Sequence, residues 1–320
     1  MQLTDNIIYY IIKSARPRQW MKNIALYAAL VFSGFFFFDP IDGPPYWVTV
    51  TFAVLVFSIL TSSIYLINDV IDYEADRHHP FKNKRPIASG KLPIPIAIFA
   101  AITGLSMVFL ATFLLPPFFR LTVGAYLALQ ILYAVKLKHL AILDVVSIAT
   151  GFLLRIYAGA VVVNLHTSVW FLLTVISASL FLAVGKRQSE RTLLSGFEDK
   201  IGPTRVALKR YSQRLLDQYT GMFANATWLT YALFAFQDAS ARPDERLATF
   251  YGFLPRTLQS QKLLMLTVPF VIIGVMRYLQ LVYEDNQGES PEKVLLRDKP
   301  LLLIVFLFGI SVMTVIYVLG

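Results

Sequence analysis

Nine apolar runs, each near the length of a bilayer crossing, leave this chain little choice but a bundle of membrane helices. They lie at about 23–38, 46–68, 93–115, 118–136, 142–163, 167–185, 215–236, 261–283 and 299–319, against the 17–25 residues a crossing helix needs. Lipid offers unpaired backbone groups no water, so each run must satisfy its own hydrogen bonds as a helix. The first run is short for a crossing. Pro44–Pro45, Pro116–Pro117, Gly202–Pro203 and Gly288 punctuate the connections. Residues 1–22 read as an amphipathic helix lying in the interface, with Ile7, Ile8, Ile11 and Ile12 on one side and Lys13, Arg16, Arg18 and Lys22 after them. No cleavable leader is expected, because an acid precedes the first apolar run and the bases follow it. The expectation is an all-α, polytopic membrane protein with nine transmembrane helices and a single transmembrane catalytic domain over 1–320.

The bases fix an orientation. With the amino end inside, 22 of the 29 Lys and Arg residues fall on that side and five on the other, leaving Arg155 and Arg277 within spans. Basic flanks mark the cytoplasmic side, so the polar connections are expected to face the cytoplasm from the cell (inner) membrane. The net charge of +9 thus belongs to the membrane faces and to anionic ligands, and no nucleic-acid partner is expected. The chain has no cysteine, which removes thiolate nucleophiles, disulfides and Cys-based metal sites. His78, His79, His139 and His166 are too scattered for a zinc site.

The strongest chemical signal is Asn68–Lys91, NDVIDYEADRHHPFKNKRPIASGK, where a span emerges into water. Asp69, Asp72 and Asp76 are spaced i, i+3 and i+7, so a continuing helix would carry them on one face, with Asn68 one turn before Asp72. Carboxylates gathered this way repel one another unless a hard cation lies between them. Mg²⁺ held by one or two carboxylates completes its shell with water and substrate phosphate. Lys82, Lys84, Arg85 and Lys91 follow and suit the anionic part of the same substrate. The plainer alternative is a solvated helix end.

Three further stretches carry charge. In Tyr133–Ala160, Asp144, Gly151 and Arg155 share a helix face, with Arg155 about 16 Å deeper than Asp144. An arginine at that depth must meet a carboxylate, a carbonyl or cavity water, and the alternative reading is an Arg–Asp pair locking two helices. Gly151 and Gly159 are expected to permit close helix packing. Lys186, Arg187 and Glu190 close the sixth span, either as a functional cluster or as a snorkelling helix end with a Lys186–Glu190 pair. Lys209, Arg210, Tyr211 and Arg214 follow it. Glu289, Glu292, Arg297 and Asp298 mix in the last connection, and Asp298–Lys299–Pro300 reads as a helix start.

These motifs resemble the UbiA superfamily of intramembrane prenyltransferases. NDxxDxxxD followed by RPIxSG is similar to that superfamily's first aspartate-rich motif, and the resemblance implies nine helices around a central cavity. Most members add a DxxxD cluster after the sixth helix that holds a second Mg²⁺ for a prenyl diphosphate. Here Lys186, Arg187 and Glu190 stand in its place. That departure resembles the decaprenyl-phosphate phosphoribosyltransferase branch, as do RPRQWxKN at Arg16–Asn23, the Tyr133–Gly159 pattern, GKRxxE at Gly185–Glu190 and PExxLxxDxPL at Pro291–Leu301.

The branch implies phosphoribosyl pyrophosphate as donor, a polyprenyl phosphate as acceptor, Mg²⁺ as cofactor, and a product used as an arabinan precursor in cell-wall biosynthesis. On this reading Asp69, Asp72 and Asp76 are the metal and catalytic residues, together with Arg155. Asn68, Lys22, Lys82, Lys84, Arg85, Tyr133, Lys138, Asp144, Lys186, Arg187 and Glu190 bind substrate, with Lys186 and Arg187 nearest the lipid phosphate. An aromatic prenyltransferase using a prenyl diphosphate, and a transporter of an anionic solute or lipid, are the alternatives.

Overall fold

The computed structural model describes residues 2–78, 82–194, 211–237, 262–284, 294 and 296–319. Among them every regular element is helical: α1 Gln2–Ala15, α2 Tyr27–Phe32, α3 Tyr46–Ile71, α4 Tyr73–Arg77, α5 Ile94–Ala111, α6 Pro117–Val135, α7 Leu143–Val162, α8 Val169–Leu194, α9 Gln213–Gln237, α10 Val268–Tyr283 and α11 Lys299–Tyr317. Seven helical segments, α3, α5, α6, α7, α8, α10 and α11 with short extensions of some, are long and apolar enough to cross a membrane. The other two expected spans take different forms. α9 is less apolar yet packs along α8. Of the first expected span, 23–38, only the part to Phe32 is helical, as the end of a 3₁₀ run, Pro17–Leu26, continued by α2. The helical path here therefore begins upstream of the expected run, at Pro17, and ends at Phe32, short of that run's far end.

The amino-terminal helix α1 is shorter than the 1–22 expected for an interfacial helix. It ends at Ala15 because Pro17 has no N–H to donate and restricts the residue before it, and Arg16 takes the left-handed conformation at φ 53°. Ile7, Tyr10 and Ile11 pack with Leu66, Ile87 and Leu92, whereas Ile8, Tyr9 and Ile12 remain exposed. The expected single apolar side is therefore divided between a face packed on the protein and an exposed one.

α3 and α7 are the central helices. More than half of each one's most apolar stretch is buried, against 17% for the α5 segment, whose Phe99, Ile102, Phe109 and Leu110 face outward. α7 touches the 3₁₀ run, α2, α3, α6 and α8, and α11 returns to α2. One apolar core joins α3, α6 and α7 through Phe57, Phe119 and Tyr126, and a second joins α2, α7, α8, α9 and α11 through Phe171, Tyr231 and Phe234. Gly159 permits the tightest crossing: a Cβ there would sit 1.9 Å from the Leu26 carbonyl oxygen. Gly151 makes no such demand, since a Cβ would meet nothing closer than 3.4 Å. Its carbonyl has a different use.

Candidate functional site

α3 runs through Asn68 and Asp69, Asp72 closes it, and α4 carries Asp76, whose N–H donates to the Asp72 carbonyl at 2.8 Å. The helical path nearly continues, and two of the three acids converge. Arg85 Nη1 lies 3.0 Å from Asp69 Oδ1 and 2.5 Å from Asp76 Oδ2. Lys82 Nζ is 3.8 Å from the other Asp76 oxygen, and Arg16 also pairs with Asp69 Oδ1. Both carboxylates are buried. Asp72 turns away to Lys138, at 2.9 Å, and is one third exposed. The three acids therefore do not form one cluster. Among the described residues no group of three or more potential ligands is poised around a metal.

The donor set nevertheless fits a hard divalent cation. Two carboxylates aim at a single point, now a guanidinium nitrogen, and one or two carboxylates with water and phosphate are what Mg²⁺ takes. Arg16 is the residue that spacing did not single out. Its guanidinium stacks over Tyr65 at 4.8 Å while reaching Asp69, and its left-handed backbone is the kind of strain that collects at functional positions. Its only sequence signal is its place at the head of RPRQWxKN. Lys84 is exposed on the turn Lys82–Lys84, Lys91 lies over the Tyr10 ring, and Lys22 sits half-buried on the 3₁₀ run. The His78 ring hydrogen-bonds the Glu74 carbonyl group, and His79 lies outside the described residues.

Deeper in the bundle, Arg155 is 6% exposed. Its Nε donates to Asn23 Oδ1 at 3.0 Å, Nη1 to the Gly151 carbonyl at 3.1 Å and Nη2 to the Tyr126 hydroxyl at 2.5 Å. The guanidinium also lies over the Tyr126 and Phe152 rings. Asn23 is set in turn by donating to Ser58 and Thr61. Every one of these partners is neutral. The alternative of an Arg155–Asp144 helix lock is therefore set aside, and the cation stays uncompensated by any carboxylate among the described residues.

Asp144 pairs instead with Arg187, Oδ2 to Nε at 2.7 Å. Arg187 also holds Glu190 at 2.5 Å and the Tyr133 hydroxyl at 3.1 Å. Arg187 and Glu190 are buried, which replaces the snorkelling helix end with an interior ion triad. Tyr211, fully buried, donates to Asp144 Oδ1 at 2.7 Å, and burial followed by that hydrogen bond pushes its hydroxyl well above the usual phenol range. Asp217, on α9, accepts from Gln188 at 2.7 Å and from Tyr283 at 3.1 Å. Asp298 caps α11 by accepting from Leu301 N–H and is held by both ends of the Arg277 guanidinium, as the helix-start reading expects. Lys209, Arg210, Glu289 and Glu292 lie outside the described residues.

The model of the UbiA prenyltransferase family matches residues 24–297. The chain belongs to the UbiA prenyltransferase family. It is 33% identical over 99% of its length to the decaprenyl-phosphate phosphoribosyltransferase of Corynebacterium glutamicum, covering 90% of that protein. It is 35% identical over 92% of its length to the enzyme of the same name from Mycolicibacterium smegmatis, covering 89% of it. Its fold is similar to a UbiA homolog from Archaeoglobus fulgidus solved with GPP and Mg²⁺, at a TM-score of 0.63 and 16% identity over 96% of this chain and 99% of that one. The family places the chain among multi-pass membrane transferases.

Proposed function

We propose that this protein transfers 5-phosphoribose from phosphoribosyl pyrophosphate to a polyprenyl phosphate, such as decaprenyl phosphate, with Mg²⁺ and on the cytoplasmic face. Near-full-length similarity to two phosphoribosyltransferases supports the activity, and the basic asymmetry supports the orientation. The observation that carries the choice of donor is the Arg187 triad. Asp144 and Glu190, the acids nearest the place of a second metal cluster, are committed to one guanidinium. Among the described residues a single converging carboxylate pair remains, Asp69 with Asp76, enough for a donor whose charge is divided between two ends.

On this reading Asp69 and Asp76 hold Mg²⁺, which would draw charge from the departing pyrophosphate. Arg85, Arg16 and Lys82, released from these acids, turn to the pyrophosphate oxygens. Lys138 and Lys84 suit the 5-phosphate. Arg155, a buried cation with no carboxylate partner among the described residues, draws an anionic group toward the interior. The acceptor phosphate attacks ribose C1 as the C1–O bond to pyrophosphate breaks, which inverts the anomeric centre. The acceptor is already an anion, so no side chain need remove a proton. Purified protein in nanodiscs should release pyrophosphate only when phosphoribosyl pyrophosphate, polyprenyl phosphate and Mg²⁺ are all present. Release that needs a prenyl diphosphate and an aromatic acid instead would favour the aromatic prenyltransferase.

A further inference from the structure

The loop between α6 and α7 carries Lys138 and ends in a residue that ought to resist its conformation. Ile142 sits at φ 69° and ψ −52°, near the strained γ-turn region, where a β-branched side chain is a clear outlier. Something must hold it there. Its N–H donates to the Tyr211 hydroxyl at 2.5 Å, and that hydroxyl donates onward to Asp144 Oδ1 at 2.7 Å. Asp144 is fixed from its other side by Arg187, which also holds the Tyr133 hydroxyl. Tyr133 is on α6, just before the loop, and Ile142 and Asp144 are just after it. One buried guanidinium thus grips both flanks of a short loop. The loop's own turn is closed by Leu137–His139, and Lys138 reaches Asp72 at 2.9 Å.

We infer that Tyr211, Asp144 and Arg187 form a clamp that fixes the α6–α7 loop in its strained turn and so positions Lys138 against Asp72. Tyr211 is a positioning residue that acts through Lys138. Arg187 then has a use in this chain other than meeting the lipid phosphate. The consequence for catalysis rests on the reading of Lys138 as a ligand of the donor's phosphate.

The test uses the full-length protein in nanodiscs. Tyr211→Phe keeps the ring but removes the oxygen that bridges Ile142 and Asp144. Hydrogen exchange at residues 136–142 should accelerate in that variant, and the donor KM should rise about tenfold with kcat within about twofold, the pattern of lost uniform binding. Ile142→Gly, which adopts positive φ without strain, should restore much of the donor KM to Tyr211→Phe. Lys138→Ala should show the same rise, and the double variant with Tyr211→Phe no more than either alone, since two residues acting through one contact are not additive. Unchanged exchange in Tyr211→Phe, or effects that multiply in the double variant, overturns the clamp. Faster exchange together with an unaltered donor KM in Lys138→Ala supports the clamp and overturns the reading of Lys138 as a donor ligand.

Discussion

Replacing Arg187 with Met asks how much one buried guanidinium contributes. Its two carboxylate partners have side chains 2% and 3% exposed, at 2.7 and 2.5 Å, so neither can turn to water when the cation is gone. Breaking a buried pair from one side typically costs about 3–5 kcal/mol, because the orphaned charge stays in a low-dielectric interior. Asp144 keeps the Tyr211 hydroxyl and the Val145 N–H as donors, which places the expected loss toward the lower end of that range. At about 2–4 °C per kcal/mol for a large domain, the apparent melting temperature in detergent should fall by roughly 10 °C. Adding Asp144→Asn and Glu190→Gln to Arg187→Met removes the orphaned charges while keeping shape, and should recover most of that loss. The assay is tryptophan fluorescence against temperature at one scan rate, with the three proteins in the same micelle. An Arg187→Met protein within about 1 °C of wild type, or a triple variant no better than the single, would refute the claim that the triad is a buried, mutually dependent unit.

Arg155→Met should behave in the opposite way, losing about 100-fold or more in kcat/KM but less stability than Arg187→Met, because no buried carboxylate is left behind. Asp69→Asn and Asp76→Asn should each cost about 100-fold or more in turnover, as loss of a metal ligand typically does, and should raise the Mg²⁺ concentration needed for half-maximal rate. Asp72→Asn, which loses only the partly exposed Lys138 contact, should cost less. The Arg277 guanidinium holds the Asp298 carboxyl below its usual range. A depressed carboxylate stabilises the fold above its unfolded value, here 3.8, and that contribution is lost as pH falls through the folded value. Asp298→Asn should therefore narrow its stability deficit against wild type between pH 5 and pH 3, read by the same melting assay. A cysteine placed at the exposed Ser89 should react with an impermeant maleimide only after the cells are opened.

The spans were legible in sequence because lipid leaves backbone no option but local pairing, and the exceptions have local causes. Pro17 cuts the amino-terminal helix short, and the first expected run stays helical only to Phe32, its winding having begun upstream at Pro17. The acidic face was legible from periodicity for Asp69 and Asp76, which share a helical face. Asp72 departs from them because Lys138, 66 residues away, reaches it across the fold, and no spacing rule reports a partner at that distance. Asp144 and Arg155 share a helix face as their spacing implies, yet their partners come from other segments: Arg187 and Tyr211 for one, Asn23 and Tyr126 for the other. Periodicity identifies the face but not what arrives at it. Tyr211 and Arg16 carry little local signal for the same reason, since burial and strain follow from tertiary packing.

The most direct test of the donor assignment is the mass of the lipid product. Purified protein in nanodiscs, with Mg²⁺, polyprenyl phosphate and phosphoribosyl pyrophosphate carrying ¹³C in its ribose, should yield a lipid heavier than the acceptor by one labelled phosphoribosyl group, with inorganic pyrophosphate released in equal amount. Failure to label the lipid, alongside a prenylated aromatic acid when a prenyl diphosphate is supplied, would contradict the assignment.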